Sequence, residues 1–207
     1  MKYHLLFAGC TGVGKSSVIE ELKKMMNENM PVYVFSDPYI DNPFIQTAYS
    51  LGQRNFQSQM FFFKEFLRIQ QQIDEINEGV ILQERSVYEC VNIFCRQYLE
   101  ENKFDRDEFR LFSDLLDLLS SKLKKPDAFI YVFASAPTIL SRIKKRGRSF
   151  ESSLNVDFVE MQSRMYEEWV KTLDCKNTHS VLKIDSENKN AVECATEITK
   201  MLQNNKF

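Results

Sequence analysis

The segment from Gly9 to Ser16, with the sequence GCTGVGKS, constrains this chain more than any other stretch. It matches the pattern G-x-x-x-x-G-K-[ST] at every required position, follows the apolar run 5–8 and precedes a segment with helical spacing, 18–26. In such a strand–loop–helix context, the N–H groups of a glycine-rich loop converge on phosphate oxygens, and the helix adds its positive end. The motif therefore predicts that the chain binds a nucleoside triphosphate.

Two side chains of this phosphate loop have predicted roles of their own. Lys15 can reach the β- and γ-phosphates as a point charge, and the Ser16 hydroxyl can ligate the Mg²⁺ that bridges these phosphates. The predicted ATP-binding residues are Gly9, Cys10, Thr11, Gly12, Val13, Gly14, Lys15, Ser16 and Ser17.

Composition excludes several other classes of protein. Hydrophobic residues make up 43% and charged residues 27% of the 207 residues, which is typical of a folded domain. The net charge of −2 gives no reason to expect nucleic acid or an anionic membrane as a partner. There is no apolar run of membrane-spanning length, no signal-peptide pattern and no Cys-x-x-Cys pair. We expect one cytoplasmic domain over residues 1–207, without disulfides or structural zinc.

Apolar runs alternate with segments of helical spacing along the whole chain. Strands are predicted at 5–8, 32–36, 79–82, 128–133 and 180–184. Helices are predicted at 14–27, 41–53, 56–77, 87–99, 106–123, 136–145, 156–173 and 190–202. This alternation predicts an α/β fold with a five-stranded parallel sheet covered by helices on both faces.

Charged residues follow the predicted strands where ligands bind in such folds, beyond the carboxyl ends of the strands. Asp37 follows the second strand and is the best candidate for a general base, although Asp-Pro is also common turn chemistry. Glu84 follows the third strand and can ligate Mg²⁺ directly or through water. Arg85, beside it, can hold the acceptor oxygen and the incoming phosphate. A buried structural Glu–Arg pair is the alternative.

A run of basic residues lies between residues 142 and 148. It can be a helix end that complements the dipole, a nuclear-localisation or nucleic-acid patch, or a lid over the phosphates. Arg142 and Arg146 share a helical face, and Arg148 follows Gly147, a candidate hinge. Since a triphosphate requires cations, we favour a lid at about 142–151 whose three arginines act on the transferring phosphoryl group.

Together these motifs resemble those of the deoxyribonucleoside kinases, which include the deoxycytidine, deoxyguanosine and deoxyadenosine kinases. The resemblance is carried by the phosphate loop, Asp37-Pro38 with Asn42-Pro43, Phe56-Gln57, Glu84-Arg85-Ser86-Val87-Tyr88 with Ile93-Phe94, and 142–148 with Glu151. It implies a P-loop nucleoside-kinase fold and an enzyme that transfers the γ-phosphate of ATP to the 5′-hydroxyl of a deoxynucleoside. It also implies a homodimer formed through the helices after the third strand.

The resemblance assigns further roles to individual residues. Asp37 stands where the family usually has a glutamate as general base, so its carboxylate reaches one methylene less far. Gln57 would bind the edge of the base with its amide, while Phe56 and Phe94 flank the base. The residues implied to hold the 3′-hydroxyl are Tyr49 and Glu151.

The preferred base follows less directly from the sequence. Met60, Lys64 and Cys90 are predicted near the base edge. Where deoxycytidine-type enzymes have an arginine–aspartate pair, this chain has Lys64 and Cys90, so that paired recognition is absent. We expect a purine deoxynucleoside, deoxyadenosine or deoxyguanosine, as substrate. Deoxycytidine or broad specificity is the alternative.

Two other classes share a phosphate loop. A thymidylate-type nucleoside monophosphate kinase would need cations near the second strand, where this chain has Asp37, Asp41 and no arginine before Arg54. A regulatory GTPase would need the sequence Asn-Lys-x-Asp, and residues 188–191, Asn-Lys-Asn-Ala, lack the final aspartate. A nucleic-acid-binding module is supported only by the basic run at 142–148.

Overall fold

Five parallel strands form a single sheet in the computed structural model, which describes residues 1–26, 30–175 and 180–204. The strands are β1 (Lys2–Ala8), β2 (Val32–Phe35), β3 (Gly79–Glu84), β4 (Ala128–Phe133) and β5 (Ser180–Asp185). Their order across the sheet is β2-β3-β1-β4-β5. The predicted five-stranded parallel α/β fold is confirmed.

The register of the sheet brings the ends of three strands together. Phe7 of β1 lies opposite Glu84 of β3, and Phe35 of β2 lies opposite Gln83. Because the strands are parallel, the loops that follow β1, β2 and β3 leave the sheet at one edge. The phosphate loop, Asp37 and Arg85 therefore start from neighbouring positions.

Helical segments connect the strands. The α-helices are α1 (Lys15–Met26), α2 (Ile45–Leu51), α3 (Asn55–Glu75), α4 (Val87–Glu89), α5 (Arg96–Glu100), α6 (Arg106–Ser120), α7 (Ala136–Arg146), α8 (Val156–Cys175) and α9 (Ala191–Asn204). Two 3₁₀ turns cover Pro38–Asp41 and Ser149–Glu151. The predicted end of the first helix at Asn27 lies outside the described residues. None of the described helices is long and apolar enough to cross a membrane.

The helix predicted at 87–99 departs from regular α-geometry. A π-helical segment, Cys90–Cys95, lies between α4 and α5, and the three segments form one continuous helical run. Such a π-turn widens the helix and re-aims its side chains, and π-turns are frequent at functional sites. Here Cys90 and Phe94 of the π-segment both face the cavity described below.

Two apolar clusters support the sheet edge that carries the site. The first surrounds β1 and β4, whose residues Phe7 and Ile130 are fully buried. The near-continuous burial of these strands is expected for a parallel sheet covered on both faces. The second cluster joins α3 to the helices after β3, with Phe63 and Phe112 among its buried members. This second cluster fixes α3 and the π-segment relative to each other.

Candidate active site

A cavity of about 580 Å³ lies at the carboxyl edge of the sheet. The predicted site residues that line it are Thr11, Gly12, Val13, Gly14, Lys15, Ser16, Ser17, Asp37, Tyr49, Glu84, Arg85, Phe94, Arg142, Arg146, Arg148 and Glu151. The structure thus brings most of the predicted residues together. Gly9 and Cys10 lie just behind the lining, whereas Phe56 and Gln57 lie away from it.

The phosphate loop wraps around its own lysine. Lys15 is 3% exposed, and its Nζ donates hydrogen bonds to the carbonyl oxygens of Gly9 at 2.8 Å and Cys10 at 3.1 Å. Burial, together with the nearby Arg85 guanidinium, lowers the pKa of Lys15 to about 8. Gly9 has a φ of +144°, and a Cβ there would clash with the carbonyl oxygen of Val132, so the loop lies directly on β4.

An oxygen pair suited to a hard cation lies at the start of α1. The Ser16 hydroxyl donates to both carboxylate oxygens of Glu84, at 3.0 Å and 2.9 Å. Hydroxyl and carboxylate oxygens are the ligands that Mg²⁺ prefers, and Mg²⁺ in phosphate sites keeps waters and substrate oxygens as its other ligands. The described residues contain no cluster of three or more His, Cys, Asp or Glu side chains that could hold a metal alone. The pair therefore fits a metal that arrives with a phosphate.

Asp37 and Arg85 form the most buried ion pair of the cavity. Arg85 Nε lies 3.0 Å from Asp37 Oδ2, and the two side chains are 7% and 18% exposed. Arg85 Nε is buried without a hydrogen-bond partner, so its contact with Oδ2 is an ion pair and not a hydrogen bond. The second carboxylate oxygen, Oδ1, is also buried without a partner. Burial raises the pKa of Asp37, and the Arg85 charge opposes that rise. The Asp37 side chain lines the cavity beside the phosphate loop.

Arg85 is held in an uncommon backbone conformation. Its φ is +66°, a region that residues with a Cβ rarely adopt and that is often found at functional sites. One terminal nitrogen donates to Thr11 Oγ1 at 3.1 Å, and the guanidinium lies 4.5 Å from the centre of the Phe94 ring. These contacts direct the guanidinium into the space between the phosphate loop and Asp37.

The nucleobase contacts predicted on α3 need correction. Gln57 is exposed, and Phe56 packs against Phe112 at a ring-centre distance of 5.3 Å, in the second apolar cluster. Gln59, two residues further on, is 2% exposed and lines the cavity. Two residues correspond to about 200° around a helix, so Gln57 and Gln59 lie on opposite faces of α3.

The face of α3 toward the cavity carries Gln59, Phe62 and Phe66. These residues are three and four positions apart, which is the spacing of one helical face and a signal that the sequence contains. Lys64 is also misplaced in the prediction, because its side chain is 64% exposed and ion-paired with Glu65. Phe62 and Phe66 of α3 line the cavity, as do Cys90 and Phe94, so apart from Gln59 this end of the cavity is apolar.

Cys90 contacts the amide that faces the cavity. Its thiol lies 3.5 Å from Gln59 Oε1 and 3.7 Å from the Gln59 carbonyl oxygen, with both oxygens as acceptors. Gln59 therefore has a polar neighbour that fixes the direction of its side chain. Among the cavity-lining residues contributed by α3 and the π-segment, Gln59 is the one with an amide group.

Residues of the segment predicted as a lid line the cavity and are bonded to one another. Glu151, 2% exposed, accepts hydrogen bonds from Arg146 at 2.6 Å and from Arg148 at 3.3 Å. The Arg148 guanidinium lies 3.9 Å from the centre of the Tyr39 ring. Gly147 ends α7 with a φ of +69°, which lets the chain turn between the two arginines.

Arg142 has a different environment from the other two arginines. It donates to the carbonyl oxygen of Val13 at 2.9 Å and to the hydroxyl and carbonyl oxygens of Ser186. It therefore joins the phosphate loop to the segment after β5. Lys145, one turn further along the same helix face, also lines the cavity and adds positive charge there.

A glycine-rich phosphate loop, a buried carboxylate and seven cationic side chains around one cavity define a phosphotransferase of the P-loop class. The chain belongs to the deoxynucleoside kinase family, whose model matches residues 5–206. Enzymes of this family transfer phosphate from ATP to deoxynucleosides. The family resemblance seen in the sequence is thus confirmed, and it favours this activity over the monophosphate-kinase and GTPase alternatives.

Individual relatives agree with this assignment. The chain is 31% identical to the deoxyadenosine kinase of Lactobacillus acidophilus over 178 residues, which cover 80% of this chain and 78% of the relative. It is 28% identical to the deoxyadenosine/deoxycytidine kinase of Bacillus subtilis over 167 residues, which cover 79% and 74%. A structure of M. mycoides deoxyadenosine kinase with dCTP bound matches with a TM-score of 0.80 at 25% identity, covering 98% of this chain and all of the other (100%).

Proposed function

We propose that Asp37 is the general base of this deoxynucleoside kinase. The observation that carries the proposal is the position of the Asp37 carboxylate, which lines the cavity that also contains the phosphate loop and lies 3.0 Å from Arg85. The carboxylate accepts the proton of the substrate's 5′-hydroxyl while that oxygen attacks the γ-phosphorus. The bond from the γ-phosphorus to the β–γ bridging oxygen breaks, and ADP leaves.

Cations around the cavity complement the charge of the transferring phosphoryl group. Arg85, fixed between Thr11 and Asp37, orients the acceptor oxygen and one phosphate oxygen. Arg146 and Arg148 of the lid, about residues 142–151, exchange contacts with Glu151 for contacts with phosphate oxygens. Arg142 keeps the phosphate loop in place through Val13.

Ser16 and Glu84 would hold Mg²⁺ in this mechanism. Bound there, Mg²⁺ would neutralise charge on the β- and γ-phosphates of ATP. The Ser16–Glu84 hydrogen bonds support the assignment because they bring the Ser16 hydroxyl oxygen next to the Glu84 carboxylate, and Ser16 directly follows Lys15. The other end of the cavity would receive the sugar and base, with Tyr49 and Glu151 near the 3′-hydroxyl and Phe94 against the base.

The proposed substrate is a purine deoxynucleoside, with deoxyadenosine first. Gln59 is the proposed base-reading residue, because an amide can donate to a ring nitrogen and accept from an amino group at once. The apolar side chains of Phe62 and Phe66 suit the large face of a purine. Deoxycytidine is the second candidate, because it presents the same donor–acceptor pair to an amide and the Bacillus subtilis relative is a deoxyadenosine/deoxycytidine kinase.

The proposed preference is tested by kcat/KM for the four deoxynucleosides, measured with ATP and Mg²⁺ and with Mg²⁺ removed by a chelator. We expect deoxyadenosine to give the highest value and the chelator to abolish turnover. A higher value for thymidine than for either purine would contradict the proposed base contacts, and full activity without Mg²⁺ would contradict the metal assignment.

We also propose that the protein is a homodimer formed through the helices after β3. Leu111 and Leu118 of α6 are 47% and 72% exposed, which supports a covered apolar face there. Sedimentation velocity of the wild type and of Leu118→Lys tests the proposal. A wild type that sediments as a monomer at micromolar concentration would contradict it.

A further inference from the structure

A buried glutamine of α8 contacts the phosphate loop from outside the cavity. Gln162 is 0% exposed, and its Oε1 accepts a hydrogen bond from the backbone N–H of Thr11 at 2.7 Å. Its Nε2 donates to Gln97 Oε1 at 3.0 Å, so both ends of the amide are bonded. A buried amide is stable only when it is bonded in this way, and a buried N–H left without an acceptor is costly.

Thr11 is also connected, through its hydroxyl group, to Arg85 and Asp37. Thr11 Oγ1 accepts a hydrogen bond from Arg85 at 3.1 Å, and Arg85 lies 3.0 Å from Asp37. A continuous set of contacts therefore runs from Gln162 through Thr11 and Arg85 to the proposed base. Gln162 does not line the cavity, so it has no contact of its own with a bound substrate.

The remaining contacts of α8 show that this helix supports the site in two places. One turn after Gln162, the Tyr166 hydroxyl donates to Glu89 Oε1 at 2.8 Å, and Tyr166 is fully buried. Residues four apart lie on the same helical face, so α8 presents one polar edge to the phosphate loop and to α4. The helix α8 begins five residues after Glu151, so it directly follows the proposed lid segment in the chain.

We propose that Gln162 is a positioning residue for phosphoryl transfer. By accepting from the Thr11 N–H, it fixes the backbone of Thr11, whose hydroxyl accepts from Arg85, and the next residues of the loop are left facing the cavity. The inference concerns the family's established activity and does not depend on which base is preferred. It assigns to Gln162 an effect on turnover, not on the affinity for the deoxynucleoside.

Two substitutions of Gln162 separate positioning from simple packing. Gln162→Met has nearly the same volume but no acceptor for Thr11, and Gln162→Glu keeps the acceptor while burying a charge. We expect Met to lower kcat about tenfold with the KM for deoxynucleoside changed less than twofold, because an unpaired N–H in the loop disturbs Arg85. We expect Glu to keep kcat within about threefold of wild type while lowering Tm more than Met does.

Gln70→Met is the matched control, because Gln70 is a buried glutamine on α3 whose amide donates to Asp74 at 3.1 Å, outside the cavity lining. It is expected to change Tm without changing kcat. A merely structural role for Gln162 would make kcat follow Tm in both Gln162 variants. The proposal is overturned if Gln162→Met keeps kcat within twofold of wild type, or if Glu and Met slow turnover equally.

A second measurement keeps the test decisive if Gln162→Met folds poorly. Thr11→Ala removes the hydroxyl that accepts from Arg85 and keeps the N–H that donates to Gln162. Gln162→Leu, a smaller side chain that also lacks the acceptor, should lower kcat on its own. If Gln162 acts through Thr11, the double variant of Gln162→Leu and Thr11→Ala loses no more kcat than Thr11→Ala alone. Independent, multiplying losses in kcat would contradict a shared route to Arg85.

Discussion

The two carboxylate oxygens of Asp37, the proposed general base, have different surroundings. Oδ2 faces Arg85 at 3.0 Å, while Oδ1 is buried with no partner in the described structure. Since burial raises the pKa of this carboxyl above its ordinary value of 3.8, it is a stronger proton acceptor than an exposed aspartate. A base must be deprotonated to act, so turnover is lost as the pH falls through that raised pKa.

Asp37→Asn keeps the shape of the side chain and removes its basicity. We expect kcat to fall by roughly 10²–10⁴-fold, the usual contribution of a general base, while ATP affinity measured by calorimetry is unchanged. Asp37→Glu, which restores a carboxylate, should recover part of the activity. An equal loss of ATP affinity in Asp37→Asn would indicate that the residue is structural.

Gln59 and Gln57 provide a matched pair on a single helix. Gln59→Leu removes the buried amide at the base end, and we expect the KM for the deoxynucleoside to rise about 10–100-fold because polar groups of the base lose their partner. Gln57→Leu, on the exposed face, should leave KM and kcat unchanged. The reverse order of effects would restore the assignment made from sequence alone.

At the scale of elements, one carboxylate holds the segment proposed as a lid. Glu151 is 2% exposed and bonded to both Arg146 and Arg148, so Glu151→Gln removes the charge that holds the 3₁₀ turn to the end of α7. We expect tryptic cleavage after these arginines to become faster and the KM for the deoxynucleoside to rise about tenfold.

Glu160→Gln, an exposed position at the start of α8, serves as the control for that experiment. It should change neither the cleavage rate nor KM. Unchanged cleavage in Glu151→Gln would mean that aromatic contacts, such as that between Phe150 and Tyr49, are sufficient to hold the lid closed.

Elements differ in how far their sequence determines them. The order of strands and helices was predictable because buried parallel strands are apolar along their length and because each loop carries its own turn residues. The residues of the site that follow strands, Asp37 and Arg85, were predictable for the same reason. The spacing of Gln59, Phe62 and Phe66 marks one helical face, but it does not tell which face of α3 lines the cavity, because aromatic residues such as Phe56 and Phe62 occur on more than one side of the helix and both pack against the second cluster.

Other features depend on contacts between distant segments. The π-segment at Cys90–Cys95 has no sequence signature, since its widened turn follows from packing against α3 and α8. The polar contact between Gln162 and Thr11 joins residues far apart in the chain, and no local pattern indicates it. Such contacts become visible only when the whole molecule is assembled.

At the scale of the whole molecule, one buried histidine couples folding to pH. His4 of β1 is 4% exposed and hydrogen-bonded to Gln83 of β3 at 2.7 Å, and burial lowers its pKa to about 4. The unfolded chain therefore binds a proton first, near pH 6.5, and stability is lost as the pH falls from there to about 4.

We expect that loss to reach about 3 kcal/mol in the free energy of unfolding at pH 4. Urea unfolding at pH 7 and pH 4 measures it, with His4→Gln as the control, because an amide can bond Gln83 and does not titrate. The wild type should lose more stability than the variant between the two pH values. Equal losses in wild type and variant would mean that titration of other groups causes the loss of stability at low pH.

The most direct test of the whole account is transfer of labelled γ-phosphate from ATP to a set of acceptors: the four deoxynucleosides and, beside them, thymidylate and uridylate. The account predicts 5′-monophosphates of deoxynucleosides, with deoxyadenosine the best acceptor, and no transfer to either monophosphate. Transfer to the monophosphates alone would contradict it, because a phosphate would then occupy the place assigned to the 5′-hydroxyl and Asp37 would have no proton to accept.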